Sequence, residues 1–240
     1  MVAPEHGPAP GDYHAGRLSA RPASAVSASP AAGDHFPGAA DGWSGVLFVP
    51  ASASSAAAVP LMVTLHGAGG RGPRMLQRWR ETAERHGVAI LAPDSVAPTW
   101  DVLRGGYGPD VQCIDRALSF AFTALAADKE HILIEGFSDG ASYALSLGLA
   151  NGDLFTHVLA NSPGFCSPPS LVGKPRLLLT HGTGDQVLAI DFTSRMLAPR
   201  LQHAGYDVTY REFEGGHSLL LETMQQSLRW AGVDAAHGAD

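Results

Sequence analysis

Cysteine is nearly absent: among 240 residues only Cys113 and Cys166 carry a thiol. Neither has a partner at metal-ligand spacing, which excludes a cysteine-built metal site, and both read as small apolar core residues. Basic residues are few as well, 16 against 23 acidic, for a formal net charge of -7. A chain this poor in Lys and Arg lacks the concentrated positive field that nucleic acid or an anionic membrane surface selects. No apolar run approaches the ~18 residues of a membrane-spanning helix. Residues 1–10 have neither the basic start nor the apolar stretch of a secretory signal. The expectation is a cytoplasmic protein without nucleic-acid partner or membrane span, its oligomeric state unknown.

What is present suits one enzyme-sized domain. Hydrophobic residues make up 45% of the chain, enough to bury a core without disulfides or metals. Residues 1–40, rich in Ala, Pro, Gly and Ser, read as a flexible leader with a possible edge strand at 17–21. Residues 43–49 alternate like a strand, and 51–58 look like an exposed hairpin loop. From residue 61 the pattern changes. Continuous apolar runs at 61–65, 88–91, 132–134, 158–160 and 177–179 lack alternation, as strands covered on both faces do. Between them, Val111, Ile114, Leu118, Phe122 and Leu125 recur at three and four residues, marking one buried helical stripe. Weaker helical patterns occupy 191–205 and 219–230. Alternating strand and helix predicts a doubly wound, mostly parallel α/β sheet over residues 41–233, with a tail at 234–240.

The chemistry concentrates in four short segments. Gly136-Phe137-Ser138-Asp139-Gly140 carries little weight alone in a chain with 28 glycines. Its context carries more: an apolar strand precedes it and helix formers follow, so the serine sits on a sharp strand-to-helix turn with Oγ exposed. A hydroxyl is a poor nucleophile at neutral pH and needs a base. Of 11 histidines, His217 stands out, after the strand pattern at 208–213 and the pair Gly215-Gly216. His66 and His181 also close strands, but each begins a His-Gly step inside another motif. The base in turn needs a carboxylate to fix its tautomer, and Asp185 follows the strand at 176–180. The chain order Ser138, Asp185, His217 is the nucleophile, acid, base order of an α/β-hydrolase. Asp191 sits where a helix cap is expected, and Asp207 at the wrong end of a strand. Acyl transfer also needs N–H donors for an oxyanion. The backbone of Asp139 is one, and His66-Gly67-Ala68-Gly69-Gly70 offers the second, with Ala68 preferred and Gly69 next. No Gly-x-Gly-x-x-Gly or Gly-Lys-Ser/Thr pattern supports a phosphate loop instead.

Together these segments resemble the phospholipase/carboxylesterase group of small α/β-hydrolases, which includes acyl-protein thioesterases, with short poly(3-hydroxybutyrate) depolymerase-like esterases close by. The resemblance spans roughly residues 42–233. It implies Ser138 as nucleophile, Asp185 as acid, His217 as base, Ala68 and Asp139 as oxyanion donors, and small-molecule esters or thioesters as substrates. Two positions depart from the group: Asp139 where thioesterase-like members carry Gln, and Gln186 where relatives often have Pro. A carboxylate beside a developing oxyanion is unfavourable unless it turns away, so Asp139 must point elsewhere.

The pocket is expected from loops at 95–109, with Trp100 and Tyr107, and at 163–173, with Phe165; these aromatics line substrate or pack in the core. Both loops are too short for a large lid, which points to short or medium acyl groups. No cofactor or metal is called for. A small serine peptidase or thioesterase of the same fold, and a non-catalytic binding protein, are the competing readings.

Overall fold

A computed structural model of the chain describes residues 12–22, 31–38, 40–53 and 58–235. The strands are β1 (Gly33–His35), β2 (Gly45–Val49), β3 (Val59–Leu65), β4 (Ala89–Pro93), β5 (Ala127–Phe137), β6 (His157–Asn161), β7 (Arg176–Gly182) and β8 (Val208–Phe213). The helices are α1 (Gly72–His86), α2 (Pro109–Ala124), α3 (Asp139–Ala150), α4 (Ser194–His203) and α5 (Leu221–Trp230). All eight strands form one sheet in the order β1-β2-β4-β3-β5-β6-β7-β8. β1, β2 and β4 pair antiparallel, and every other pair is parallel.

The unalternating runs are explained by burial on both faces. Ile132, Ile134, Val158, Ala160, Leu177 and Leu179 pack on the side of α2, α3 and α4. Leu133, Leu159 and Leu178 point the other way, against Trp79 of α1 and Met224 and Leu228 of α5. Each strand therefore needs apolar residues at consecutive positions. The expected stripe Val111, Ile114, Leu118 and Phe122 is buried along α2.

Two expectations fail near the amino end. Residues 17–21 form no strand. Instead residues 12–22 run over α2 and α3, where Leu18 and Ala20 are buried. The Asp115 carboxylate accepts the N–H groups of Ser19 and Ala20, and Asn151 Oδ1 accepts that of Leu18. Side-chain acceptors on helices thus satisfy donors that a sheet neighbour would have taken. Residues 51–58 do not close a hairpin, because β2 neighbours β1 and β4 rather than β3; residues 54–57 lie outside the described ones. Of the expected leader and tail, 1–11, 23–30, 39 and 236–240 also lie outside the described residues.

The topology fixes where a site forms. From β3 the chain crosses through α1 to β4 on one side, then returns through α2 to β5 on the other. The carboxyl ends of β3 and β5 thus flank a topological switch point, where open α/β sheets leave a crevice.

Candidate active site

The crevice begins with a turn that only small residues permit. Ser138, between β5 and α3, has φ 59° and ψ -119°. A side chain in that region costs of order 1–3 kcal/mol and persists only when its surroundings hold it. A Cβ on Gly136 would lie 2.1 Å from the Gly140 oxygen, and one on Gly140 would lie 2.1 Å from the Leu65 oxygen. Both glycines are therefore required where β3, β5 and α3 meet. The Ser138 N–H donates to the Asn161 carbonyl at 3.0 Å, tying the turn to β6.

The structure brings Ser138, His217 and Asp185 together in one hydrogen-bonded line. His217 Nε2 lies 2.9 Å from Ser138 Oγ, and Nδ1 lies 2.6 Å from Asp185 Oδ2. A carboxylate can only accept, so Nδ1 carries the proton and Nε2 accepts from the serine hydroxyl. Asp185 Oδ1 accepts the N–H groups of Val187 and Leu188 at 2.9 and 2.8 Å. Burial raises the affinity of Asp185 for a proton, but those bonds and that of His217 outweigh it and hold the carboxyl below its usual value. Phe137 packs against the His217 ring at 4.7 Å between centroids. Asp191 instead pairs with Arg195, and Asp207 with Arg176.

The turn after β3 lies against the nucleophile: a Cβ on Gly67 would sit 3.3 Å from Ser138 Cβ. The Gly69 N–H donates to the Pro98 carbonyl at 2.7 Å, which removes Gly69 as an oxyanion donor. Among the described residues no protein acceptor faces the N–H of Ala68 or of Asp139. The Asp139 carboxylate accepts from the Thr99 hydroxyl at 2.6 Å, so it is held by the loop after β4. His66, nearby, is a structural group. Its Nε2 accepts the Ser95 N–H, which leaves Nδ1 to donate to the Gly67 carbonyl. Burial lowers its proton affinity and keeps it neutral.

The three aromatic candidates separate. Trp100 is fully buried, its ring between His66 and Tyr143 and its Nε1–H on the His66 carbonyl at 2.8 Å. It braces the turn after β3 and does not line a pocket, because the indole is large enough to fill the core under that loop. Tyr107 stacks on Tyr143 and donates its hydroxyl to the Ser167 carbonyl at 2.5 Å, joining the two expected pocket loops. Burial pushes its phenol up to about 12. Phe165 is half-buried and belongs to neither core cluster. Its loop is held against the first turns of α3, where Ser142 Oγ accepts the Gly164 N–H at 2.9 Å. Of the three aromatics, Phe165 is thus the one outside both core clusters. Thr99, Phe137 and Asn161 carried no signal in the sequence, because each acts through a contact made only in the fold.

Among the described residues no group of three or more His, Cys, Asp or Glu could hold a metal ion, and no helix is long and apolar enough to cross a membrane. A profile of the phospholipase/carboxylesterase family matches residues 112–230. "Putative esterase NocK" of Nocardia uniformis subsp. tsuyamanensis is 29% identical over 143 residues, 55% of this chain and 42% of that protein. The chain thus spans about two fifths of that relative's length. Two solved structures share the fold. S-formylglutathione hydrolase (FrmB) from Staphylococcus aureus has a TM-score of 0.68 at 14% identity, covering 87% of this chain and 99% of that one. The Bacillus cereus carboxylesterase has a TM-score of 0.58 at 18% identity, covering 72% and 88%. The chain has the α/β-hydrolase fold, and its residues 112–230 match the model of the phospholipase/carboxylesterase family.

Proposed function

We propose that the protein is a serine hydrolase of carboxylic esters with short to medium acyl groups. The observation that carries the reading is the line Ser138 Oγ, His217, Asp185, at 2.9 and 2.6 Å, on a strained strand-to-helix turn. In the first step Ser138 Oγ attacks the ester carbonyl while its proton passes to His217 Nε2. Asp185 stays ionised and stabilises the imidazolium. The N–H groups of Ala68 and Asp139 receive the oxyanion of the tetrahedral intermediate. His217 then protonates the leaving alcohol, leaving an acyl-Ser138 intermediate. Water enters and gives its proton to His217, and the second tetrahedral intermediate collapses to release the acid as His217 returns that proton to Ser138 Oγ, regenerating the serine.

The Thr99 contact supports the oxyanion assignment, since it accounts for the Asp139 carboxylate beside a site that must stabilise negative charge. The acyl preference rests on the loops at 95–109 and 163–173, which are too short for a large lid. The test is a series of p-nitrophenyl esters, thioesters and anilides assayed with wild type and Ser138→Ala. Expected is Ser138-dependent turnover of esters with kcat/KM highest at or below about eight acyl carbons. A maximum at twelve or more carbons overturns the chain-length assignment, and turnover of anilides without esters overturns the esterase.

A further inference from the structure

Asp185 is held by a second histidine. His181, in β7, is completely buried, and its Nε2 lies 3.1 Å from Asp185 Oδ2, the same oxygen that binds His217. The same Nε2 lies 2.8 Å from the Leu188 carbonyl. Both neighbours can only accept, so Nε2 carries the proton, which it donates to the Leu188 carbonyl with Asp185 Oδ2 alongside. Nδ1 is then an acceptor, and the Ser194 hydroxyl supplies a donor at 2.7 Å from the buried first residue of α4. Burial lowers the proton affinity of the ring, so it remains a neutral, singly protonated donor. The residue types Ser194, His181 and Asp185 repeat those of the site above, but Ser194 is sealed from solvent and has no access to a substrate.

We infer that His181 is a positioning residue for the acid of the site, with Ser194 fixing its tautomer. The inference rests on the role proposed for Asp185. Asp185 and His217 both lie on loops, whereas His181 is a strand residue held in register with Glu212 of β8. Gly182, next to it, admits the other loop: a Cβ there would lie 2.4 Å from the Gly216 oxygen. Through the Leu188 carbonyl His181 clamps the far end of the turn whose N–H groups bind Asp185 Oδ1. Its Nε2–H also lies 3.1 Å from Oδ2, beside the three hydrogen bonds that Val187, Leu188 and His217 make to the carboxylate, so Oδ2 stays aimed at His217. The other charged groups facing His181 are His217, through Asp185, and Glu212, opposite it on β8; Glu212 is neutralised by Arg195 of α4.

The test compares His181→Leu, His181→Gln and Ser194→Ala with wild type, per active site titrated with a fluorophosphonate. Losing a hydrogen bond to a charged group predicts a roughly tenfold to hundredfold fall in plateau kcat/KM for His181→Leu, carried by kcat with KM little changed. With Asp185 free to turn away from His217, the imidazolium loses support, so the acidic limb of the kcat/KM profile moves to lower pH. His181→Gln, which presents an amide N–H near the place of Nε2, restores most of the rate and the wild-type limb. Ser194→Ala, which keeps the ring in place, shifts both quantities in the same direction by less. A lowered melting temperature with an unmoved pH limb in His181→Leu overturns the inference, as does a Gln variant no better than Leu. If His181→Leu does not fold, an unchanged rate and pH limb in Ser194→Ala overturns it. Wild type without Ser138-dependent ester turnover refutes the proposed function itself, and this inference with it.

Discussion

Two chains of hydrogen-bonded side chains share one sheet and differ in access to solvent. The upper one runs Ser138, His217, Asp185 across the carboxyl edge of the sheet. The lower one lies on the face covered by α1 and α5. There Glu135 accepts from Thr64, from Trp79 Nε1 at 3.1 Å and from Asn161 Nδ2 at 2.8 Å, and Asn161 accepts from Thr180 at 2.6 Å. It crosses four strands, β3, β5, β6 and β7, and every member is buried. Both chains hold a carboxylate among three or more donors. In the upper one, the donors hold the carboxyl low and leave one side of the histidine, 16% exposed, free to exchange a proton with a reactant. In the lower one, complete burial outweighs its donors and pushes Glu135 up to about 7. Polar groups in this sheet thus form the candidate site where solvent reaches them and brace strands where it does not. The two chains meet at Asn161, whose carbonyl accepts the Ser138 N–H.

The comparison is broken most severely in the upper chain. Ser138→Ala or His217→Ala is expected to lower kcat by ~10⁴ or more while the melting temperature barely moves. Steady-state assays beside thermal melts check both halves of that statement. A smaller effect is expected beside the oxyanion donors. Thr99→Val removes the hydroxyl that holds Asp139 and frees its carboxylate near the developing charge. A roughly tenfold loss of kcat is expected, recovered in Thr99→Val/Asp139→Asn; a double mutant as slow as the single one removes the charge from the explanation. The smallest effect on activity belongs to the lower chain, and its signature is in stability. The carboxyl of Glu135 binds its proton more tightly in the fold, at about 7, than its ordinary value of 4.5. Folding therefore takes up a proton between those values, and stability falls as pH rises from about 4.5 to about 7, by on the order of 3 kcal/mol at full effect. Glu135→Gln should flatten that slope while leaving kcat nearly unchanged. Urea unfolding of both proteins at pH 5 and pH 8 measures it, and an equally steep slope in the variant contradicts the assignment.

How much of this was legible in the sequence depends on the range of the interaction. Unalternating runs such as 132–134 and 177–179 report burial on both faces, a property of each strand by itself, and the sheet follows from them. The turn at Ser138 is legible because Gly136 and Gly140 are demanded by backbone contacts within a few residues of it. The segment at 12–22 misled, because its partners Asp115 and Asn151 lie about a hundred residues away. Trp100 misled for a related reason: a large aromatic near a strand end fits a pocket wall or a core equally well until its neighbours are known. Gly69 was a fair second choice for an oxyanion donor until its N–H was seen on Pro98. His181 was visible as a His-Gly step, but its contact with Asp185 depends on how the loop after β7 folds back, which spacing alone does not give. Glu135 sits inside an apolar run and carries no outward mark of its three donors.

The central claim is that Ser138 is a nucleophile activated by His217. Intact-protein mass spectrometry after treatment with a fluorophosphonate tests it most directly, because the reagent needs an activated serine and no knowledge of the natural ester. The account predicts one covalent adduct on wild type, mapped to Ser138, none on Ser138→Ala, and labelling slowed by orders of magnitude in His217→Ala. An unlabelled wild type, or an adduct that persists in Ser138→Ala, would contradict it.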